Sequence, residues 1–451
     1  MSKSELERTA LRNVRCFTLF RMFFSARFYY PVYTLLFLDF GLSLEQFGIL
    51  NAIWAVTIVL CEVPSGALAD TIGRRKLLIA AGLCMVVEMG VLLIAPINGG
   101  PLLFGLFAVN RVVSGLAEAA ASGADEALTY DSLKYAGLED RWGLVLERVQ
   151  RDTSLAFFFA MTLGAAVYDP DMVNAVLRLF DPEITLVQSQ LVKLPVLMTF
   201  ISGLVVLQTA VRMKEAPLEA GMTVPETLAR SWRQTVSAGK WIWATAFPFG
   251  ILLAIMAVDN VIRQFLTLDS KYWHVIELPI VSYGLIGSGM AFIGIFVPRL
   301  ARWMADRFRP VQAFLMTCGL LLLGLVGVSR VLPYWGVLPA SLLFICMGVA
   351  NYLVSRYLNE AAPSEQRATV LSFKGLSTNF AYGTVCLLYS ALIAAIKLET
   401  DVTAFGSAGA YQDEVFVRSL AWAPWYFLVT VGLVFIVRWL RFARSESGAR
   451  G

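Results

Sequence analysis

The sequence predicts an all-α membrane protein with twelve transmembrane helices. Of its 451 residues, 58% are hydrophobic and 16% are charged, and the mean hydropathy is +0.67. Soluble domains carry about 25% charged residues. The apolar residues gather into runs of roughly 20, the length at which a helix crosses a hydrocarbon core of about 30 Å. Because backbone groups in lipid must pair within their own segment, we expect every run to be helical.

The spans are separated by charged or turn-rich segments. The fifth is the weakest, because its uninterrupted apolar part covers only residues 155–168. The twelve predicted spans are residues 16–38, 46–69, 77–96, 101–122, 151–168, 191–211, 241–266, 278–300, 311–329, 334–355, 368–396 and 419–438.

Basic residues predict the orientation. When connections are assigned alternately to two sides, 26 Lys and Arg fall on the side of the two termini and 6 on the other. Positive residues accumulate on the cytoplasmic side, so both termini are expected in the cytoplasm of a multi-pass cell (inner) membrane protein. The longest cytoplasmic connection predicts an N-terminal six-helix bundle at 1–211, a linker at 212–240 and a C-terminal six-helix bundle at 241–451.

The linker contains a predicted helix start at Thr223-Val-Pro-Glu226. After it, Leu228, Trp232 and Val236 recur every four residues. This pattern is typical of an amphipathic helix on the inner membrane surface. A flexible tether is the alternative.

The most specific motif lies at the cytoplasmic end of the second span. It reads Gly66-Ala-Leu68-Ala-Asp70-Thr-Ile-Gly73-Arg74-Arg75-Lys76. It resembles the major facilitator superfamily signature between helices 2 and 3, and it departs at Thr71, where that family usually has a basic residue. The resemblance implies a gating motif of Gly66, Asp70, Gly73, Arg74 and Arg75. As an alternative, a glycine turn before a basic run also satisfies the positive-inside rule without gating.

Further segments extend the resemblance over nearly the whole chain. They are Glu62-Val-Pro-Ser-Gly66, Arg111-Val-Val-Ser-Gly115, the segment 122–133, Trp303-Met-Ala-Asp306-Arg307-Phe-Arg309 and the segment 359–369. The resemblance implies the major facilitator fold, in which two six-helix bundles with pseudo-two-fold symmetry enclose a midplane site by alternating access.

Ionisable side chains inside spans are costly and therefore are candidates for function. Arg27, near the middle of the first span, is our first candidate for contacting an anionic or zwitterionic substrate group; an internal ion pair is the alternative. Glu118 is expected to lie near the cytoplasm and to be solvated. The residues assigned to substrate binding or proton coupling are Arg27, Glu62, Arg111, Asp259 and Arg263.

Two of these assignments have specific alternatives. Asp259 and Arg263 are four residues apart and could simply neutralise each other on one helix face. We expect Glu62 or Asp259 to carry the coupled proton, and sodium is the rival coupling ion.

The predicted function is secondary active transport of a small organic solute, with H⁺ as coupling ion and a monomer in the lipid bilayer. No nucleic-acid partner, cofactor or metal is expected. The single histidine, His274, lies in an outer connection, which disfavours a histidine metal site, and no nucleotide-binding glycine loop occurs that would indicate ATP-driven pumping. The sequence contains no nucleophile motif that would indicate an enzyme. A drug efflux pump and a non-transporting receptor are the alternatives; residues 155–168 contain one glycine, Gly164, and no proline, which disfavours efflux.

Overall fold

A computed structural model describes residues 3–181, 183–215, 223–363 and 367–448, without the side chains of residues 3, 4, 70, 367, 368 and 443–448. The chain forms two compact units, one of residues 1–232 with 279–288 and one of residues 233–278 with 289–451. The helices before the linker are α1 (Lys3–Ser25), α2 (Tyr33–Asp39), α3 (Leu44–Ile72), α4 (Arg74–Ile94), α5 (Gly100–Ala121), α6 (Ala124–Tyr135), α7 (Trp142–Tyr168), α8 (Pro170–Leu177), α9 (Gln188–Leu191) and α10 (Leu194–Arg212).

The remaining helices begin in the linker and continue to the C-terminal end. They are α11 (Val224–Ala244), α12 (Ala246–Val275), α13 (Val281–Gly294), α14 (Val297–Arg307), α15 (Pro310–Ser329), α16 (Val337–Ala361), α17 (Arg367–Glu399) and α18 (Ala408–Gly448).

The number of membrane segments agrees with the prediction. Ten of the described helical stretches have the length and apolar composition of a membrane span. The other two predicted spans coincide with the pair α1 and α2 and with α7, each of which carries charged residues. The chain is therefore an integral membrane protein with multiple helical passes.

The first span differs from its prediction as one unbroken helix over 16–38. Helix α1 ends at Ser25, and a 3₁₀ turn over Tyr30–Val32 leads into α2. Pro31 explains the break: it has no N–H, and its ring clashes with the carbonyl four residues earlier, which belongs to Arg27. The Arg27 carbonyl instead accepts a hydrogen bond from the Tyr30 N–H at 3.1 Å. We call residues 26–29 the interruption.

The eighth span also departs from its prediction over 278–300. Two helices, α13 and α14, replace the single run, with a turn at Ile295 and Phe296 between them. The connection after α7 contains two short helices that hydropathy did not predict. The Asp169 side chain begins α8 by accepting hydrogen bonds from the N–H groups of Asp171 (2.9 Å) and Met172 (3.4 Å).

The predicted helix in the linker is confirmed as α11. The Thr223 N–H and hydroxyl both donate to Glu226 Oε2 at 2.8 Å, and these hydrogen bonds lower the pKa of the exposed Glu226 carboxyl. Trp232 and Val236 are exposed, whereas Thr235 and Ala238 are buried. Two of the three residues of the apolar stripe thus face away from the protein, as expected for an amphipathic helix at a membrane surface.

Close helix packing in the N-terminal unit fixes the position of α4. A Cβ at Gly82 would collide with the backbone of Leu207 in α10, and a Cβ at Gly203 would press on Met85 in α4. The two glycines let the helix backbones approach closely, as small residues do in membrane proteins. This contact holds Glu88, which lies one turn beyond Met85, in the interior.

All six cysteines are free thiols. Cys16, Cys318, Cys346 and Cys386 are buried, and Cys61 and Cys84 are partly buried within membrane helices.

Candidate functional site

The interruption of the first span is anchored on two sides. Because α1 has ended at Ser25, the Phe28 N–H lies outside any α-helix. It donates instead to Thr199 Oγ1 of α10 at 3.0 Å. The Phe28 carbonyl oxygen lies against Gly164 of α7, in the place where a Cβ would stand. Non-helical backbone at membrane depth requires such internal partners. The interruption is therefore a built feature of the N-terminal unit.

Arg27 lies in this interruption and is 2% exposed. Its Nη1 donates to Glu88 Oε1 of α4, and its Nη2 donates to Glu118 Oε1 of α5 at 3.3 Å. The guanidinium also lies over the Phe24 ring, 5.3 Å from its centre. One cation thus joins three membrane segments at the point where the first one breaks. We call Arg27, Glu88 and Glu118 the arginine–glutamate cluster.

The two acids of the cluster differ in exposure. The Glu88 side chain is 0% exposed, whereas the Glu118 side chain is 35% exposed. Glu88 Oε2 is buried and makes no hydrogen bond within the described part of the chain. Glu118 was expected to be a solvated residue near the cytoplasm; it is only partly exposed, and it also contacts the buried Arg27. Glu88 and Arg27 form an internal ion pair, which is the alternative that the sequence left open for Arg27.

Polar contacts join the first membrane segment to the fourth at three levels. Residue numbers rise along one segment as they fall along the other, so the two run antiparallel. The contacts are Arg21 with Asp125 (2.5 Å), Arg27 with Glu118 (3.3 Å) and Tyr33 with Arg111 (2.6 Å).

Arg111 has neutral partners. Its Nε and Nη2 donate to Asn110 Oδ1 at 2.9 and 2.6 Å, and its Nη1 donates to the Tyr33 hydroxyl. The Tyr33 hydroxyl donates in turn to Asn51 Oδ1 of α3 at 2.8 Å. No carboxylate among the described side chains lies within 4.0 Å of Arg111, which is 3% exposed. Its charge therefore acts on the nearby acid Glu88 over a longer distance.

Glu62 stands apart from both arginines. Its Oε2 is buried without a hydrogen-bond partner, and no basic group within the described residues lies within 4.0 Å. The structure thus brings Arg27 and Arg111 into one polar region of the N-terminal unit and leaves Glu62 outside it.

The C-terminal unit contains the predicted pair on α12. Asp259 Oδ2 lies 2.7 Å from Arg263 Nη2, so the two charges neutralise each other on one helix face. Arg263 Nη1 also donates to Asn379 Oδ1 of α17 at 2.7 Å, and its guanidinium lies over the Tyr382 ring. Asn260 Oδ1 is buried and has no hydrogen-bond partner in the described residues. Arg263 thus links α12 to α17 by binding Asp259 with one nitrogen and Asn379 with the other.

The signature turn is held by a residue that the sequence did not reveal. Gly73 has a φ of +108°, a value that favours glycine, and it separates α3 from α4. The Glu215 carboxylate accepts from the N–H groups of Arg74 (2.6 Å) and Arg75 (3.2 Å), as anions do at helix N-termini. The Arg74 side chain pairs with Asp131 of α6. The Asp70 side chain lies outside the described residues.

Two sequence signals point to the residues that the site assignment left out. Pro31 lies inside an apolar run, where a proline can break a helix, and Glu88 and Glu118 lie in the interior of the third and fourth predicted spans, where an acid needs a partner or water. No signal marked Glu215, because a carboxylate after a membrane helix is also common as a solvated residue.

The chain is similar to known proteins both in part of its sequence and in its fold. Residues 15–134 match the family model of the Major Facilitator Superfamily. A crystal structure of a bacterial homolog of the human lysosomal transporter Spinster, inward-facing and unoccupied, aligns with a TM-score of 0.66 at 15% identity and covers 98% of this chain and 99% of that one. The chain has the major facilitator fold.

Two further solved structures align with this chain over most of its length. The nucleoside transporter NupG aligns with a TM-score of 0.65 at 12% identity, covering 95% of this chain and 99% of its own. A D-xylose-proton symporter aligns with a TM-score of 0.55 at 16% identity, covering 92% and 96%. The comparison with curated sequences gave no match. The fold that the signature implied is confirmed, and the substrate follows from none of these distant relatives.

Proposed function

We propose that this protein is a secondary active transporter that moves a small organic solute across the cell (inner) membrane by alternating access, coupled to H⁺. Its major facilitator fold supports the proposal, since the solved structures that share it include transporters of nucleosides and a proton symporter of a sugar. Residues 1–211 and 241–451 serve as the two bundles, with 212–240 as the cytoplasmic linker, both termini in the cytoplasm and a monomer as the working unit.

One observation carries the proposal. The first membrane segment breaks at its middle, and the break presents a buried arginine to two acids from different helices. Discontinuous helices with ionisable groups at midspan are the usual construction of ion and substrate sites in transporters. A protein that served only as a receptor or scaffold would bear the cost of these buried charges without using them.

The signature turn supports a gate. The C-terminal end of α3, the turn after it and the start of α4 contain Gly66, Asp70, Gly73, Arg74 and Arg75. We propose that Asp70 and Arg74 take part in closing the inner side during the transport cycle. Arg111, Asp259 and Arg263 are proposed to line the transport pathway or to set its charge, and Arg27 to present its charge to the substrate when the cycle exposes it.

The test has two steps. Because a compound that binds the folded state raises its apparent stability, a melting-temperature screen of nucleosides, sugars, peptides and organic ions in detergent identifies the solute class. Uptake of the best binder is then measured in proteoliposomes with an imposed pH gradient and no sodium. Accumulation that disappears when a protonophore collapses the gradient supports the proposal. Accumulation driven by sodium alone refutes proton coupling, and binding without any flux refutes transport.

A further inference from the structure

We propose that Glu118 is the residue that binds and releases the coupled proton, with Arg27 and Glu88 as its fixed partners. The inference rests on the proposed proton-coupled function and gives that function a site. It rests on the arginine–glutamate cluster, which lies entirely within the N-terminal unit.

The cluster contains one more acid than base. Arg27 is the cation in contact with both carboxylates, and it contacts Glu88 more closely than Glu118, whose Oε1 lies 3.3 Å away. One guanidinium cannot fully neutralise two carboxylates in a medium of low polarity. A single proton completes the balance of charge in the cluster.

Exposure decides which acid takes that proton. Glu88 is fully buried, and Asn110 Nδ2 fixes the α4 backbone beside it by donating to the Glu88 carbonyl at 2.7 Å. Glu118 exposes 35% of its side chain, so of the two acids it is the one open to exchange of a proton. Glu88 is therefore the permanent counterion of Arg27, and Glu118 is the exchangeable one.

The groups around Glu118 leave this assignment intact. Arg21 acts on Glu118 from α1 but is committed to Asp125 (2.5 Å) and Glu126 (2.8 Å). On α5 itself, Arg111 lies seven residues away, about 10 Å along the helix. The charged and titratable groups that face Glu118 are Arg21, Arg27 and Tyr30 from the first segment and Glu88 from α4.

Proton binding at Glu118 has a structural consequence. The ionised carboxylate is a second ligand of Arg27 and ties α5 to the interruption of the first span. When water transfers a proton to this carboxylate, the neutral acid loses most of its attraction for the guanidinium, and Arg27 remains with Glu88. The proton thus loosens one of the ties that hold the broken segment.

The acids predicted from the sequence are less suited to this role. Asp259 is 3% exposed and already shares a one-to-one pair with Arg263 at 2.7 Å. Glu62 has no basic partner within 4.0 Å in the described residues that could respond to its charge. Both remain direct competitors in the test.

The test needs no substrate. Infrared difference spectra of the detergent-solubilised full chain, recorded between about pH 4 and pH 9, report the C=O stretching band of protonated carboxylic acids. The wild-type protein is compared with Glu118→Gln, Glu62→Gln, Asp259→Asn and the control Glu126→Gln, which removes an exposed acid that also pairs with an arginine of α1.

We expect one C=O band of a protonated acid to be absent from the spectrum of Glu118→Gln. The same band should remain in the spectra of Glu62→Gln, Asp259→Asn and Glu126→Gln. A band that persists in Glu118→Gln, or that disappears in Glu62→Gln or Asp259→Asn, overturns the assignment. If Glu118→Gln does not fold, Glu118→Asp keeps the carboxylate, and its band must shift in midpoint; an unchanged midpoint also overturns it. Since no flux is measured, failure of proton-driven uptake would refute the proposed function while leaving this result readable.

Discussion

The Phe28 carbonyl oxygen occupies the space above Gly164 that any side chain would fill. The interruption of the first span and the middle of α7 therefore depend on each other. The Phe28 carbonyl can approach α7 this closely only because residue 164 is a glycine, which has no Cβ.

Gly164→Ala is expected to destabilise the protein by about 1–3 kcal/mol, because the new methyl group would collide with a backbone carbonyl that cannot rotate away. The measurement is thermal unfolding in detergent. Gly105→Ala in α5 is the matched control, since nothing lies within 4 Å of the added Cβ. Equal melting temperatures for the two variants would contradict this expectation, because they would show that residues 26–29 can shift to accommodate the methyl group.

The buried pair of Arg27 and Glu88 is expected to show strong energetic coupling. Arg27→Met leaves two acids without their cation, and loss of one partner of a buried pair costs about 3–5 kcal/mol. The double variant with Glu88→Gln should lose less than the sum of the two single variants, by about 1 kcal/mol or more. Arg151 and Asp152, where the arginine side chain is 67% exposed, provide a control cycle that should show almost no coupling. Additive effects at Arg27 and Glu88 would contradict the ion pair.

Glu215→Gln is expected to loosen the start of α4. The carboxylate accepts from two backbone N–H groups at the positive end of the helix, and its charge there is worth about 1 kcal/mol or less. Hydrogen exchange of the Arg74 and Arg75 amides should accelerate in this variant and stay unchanged in Glu147→Gln, which alters an exposed acid of α7. Unchanged protection of both amides in Glu215→Gln would show that another group holds the turn.

Asp70→Asn tests the gate. A residue that couples the two access states contributes about 1–3 kcal/mol, so uptake in proteoliposomes should fall by about tenfold or more while the melting temperature stays near that of the wild type. Asp131→Asn separates Arg74 from its partner in α6 and shows how much of any loss comes from that pair. If Asp70→Asn fails to fold, Asp70 is a structural residue and the gating role falls.

The orientation prediction is tested by fusion reporters. With 26 basic residues on the side of the termini and 6 on the other, a reporter placed after Gly451 should be active only when it remains in the cytoplasm. A second reporter in the outer connection at 178–187 should give the opposite result. Activity of the C-terminal fusion outside the cytoplasm would invert the topology.

The sequence predicted the helical class and the approximate spans well, because hydropathy reports directly on burial in lipid. It missed the break in the first span even though Pro31 was visible, since proline is ambiguous inside a membrane helix. Pro64 lies inside α3 and Pro424 inside α18, and both helices continue through them. What decides the outcome at Pro31 is tertiary: Thr199, Gly164 and the acids around Arg27 stabilise the broken form.

The candidate site was predicted residue by residue but not as a set. Arg27 was identified from its depth in the span, whereas its partners on α4 and α5 could not be inferred, because the facing of a helix in a bundle is not encoded in hydropathy. Asp259 and Arg263 were matched correctly because a spacing of four residues fixes their geometry within one helix.

The placement of the six thiols has a practical consequence for labelling this protein. Since every native cysteine lies within a membrane helix and four are buried, a water-soluble maleimide should give little background on the intact chain. Single cysteines introduced at loop positions can then be read directly for spin labels, fluorophores or distance measurements. The natural sequence, with its six shielded thiols, can serve as the low-background reference for such variants.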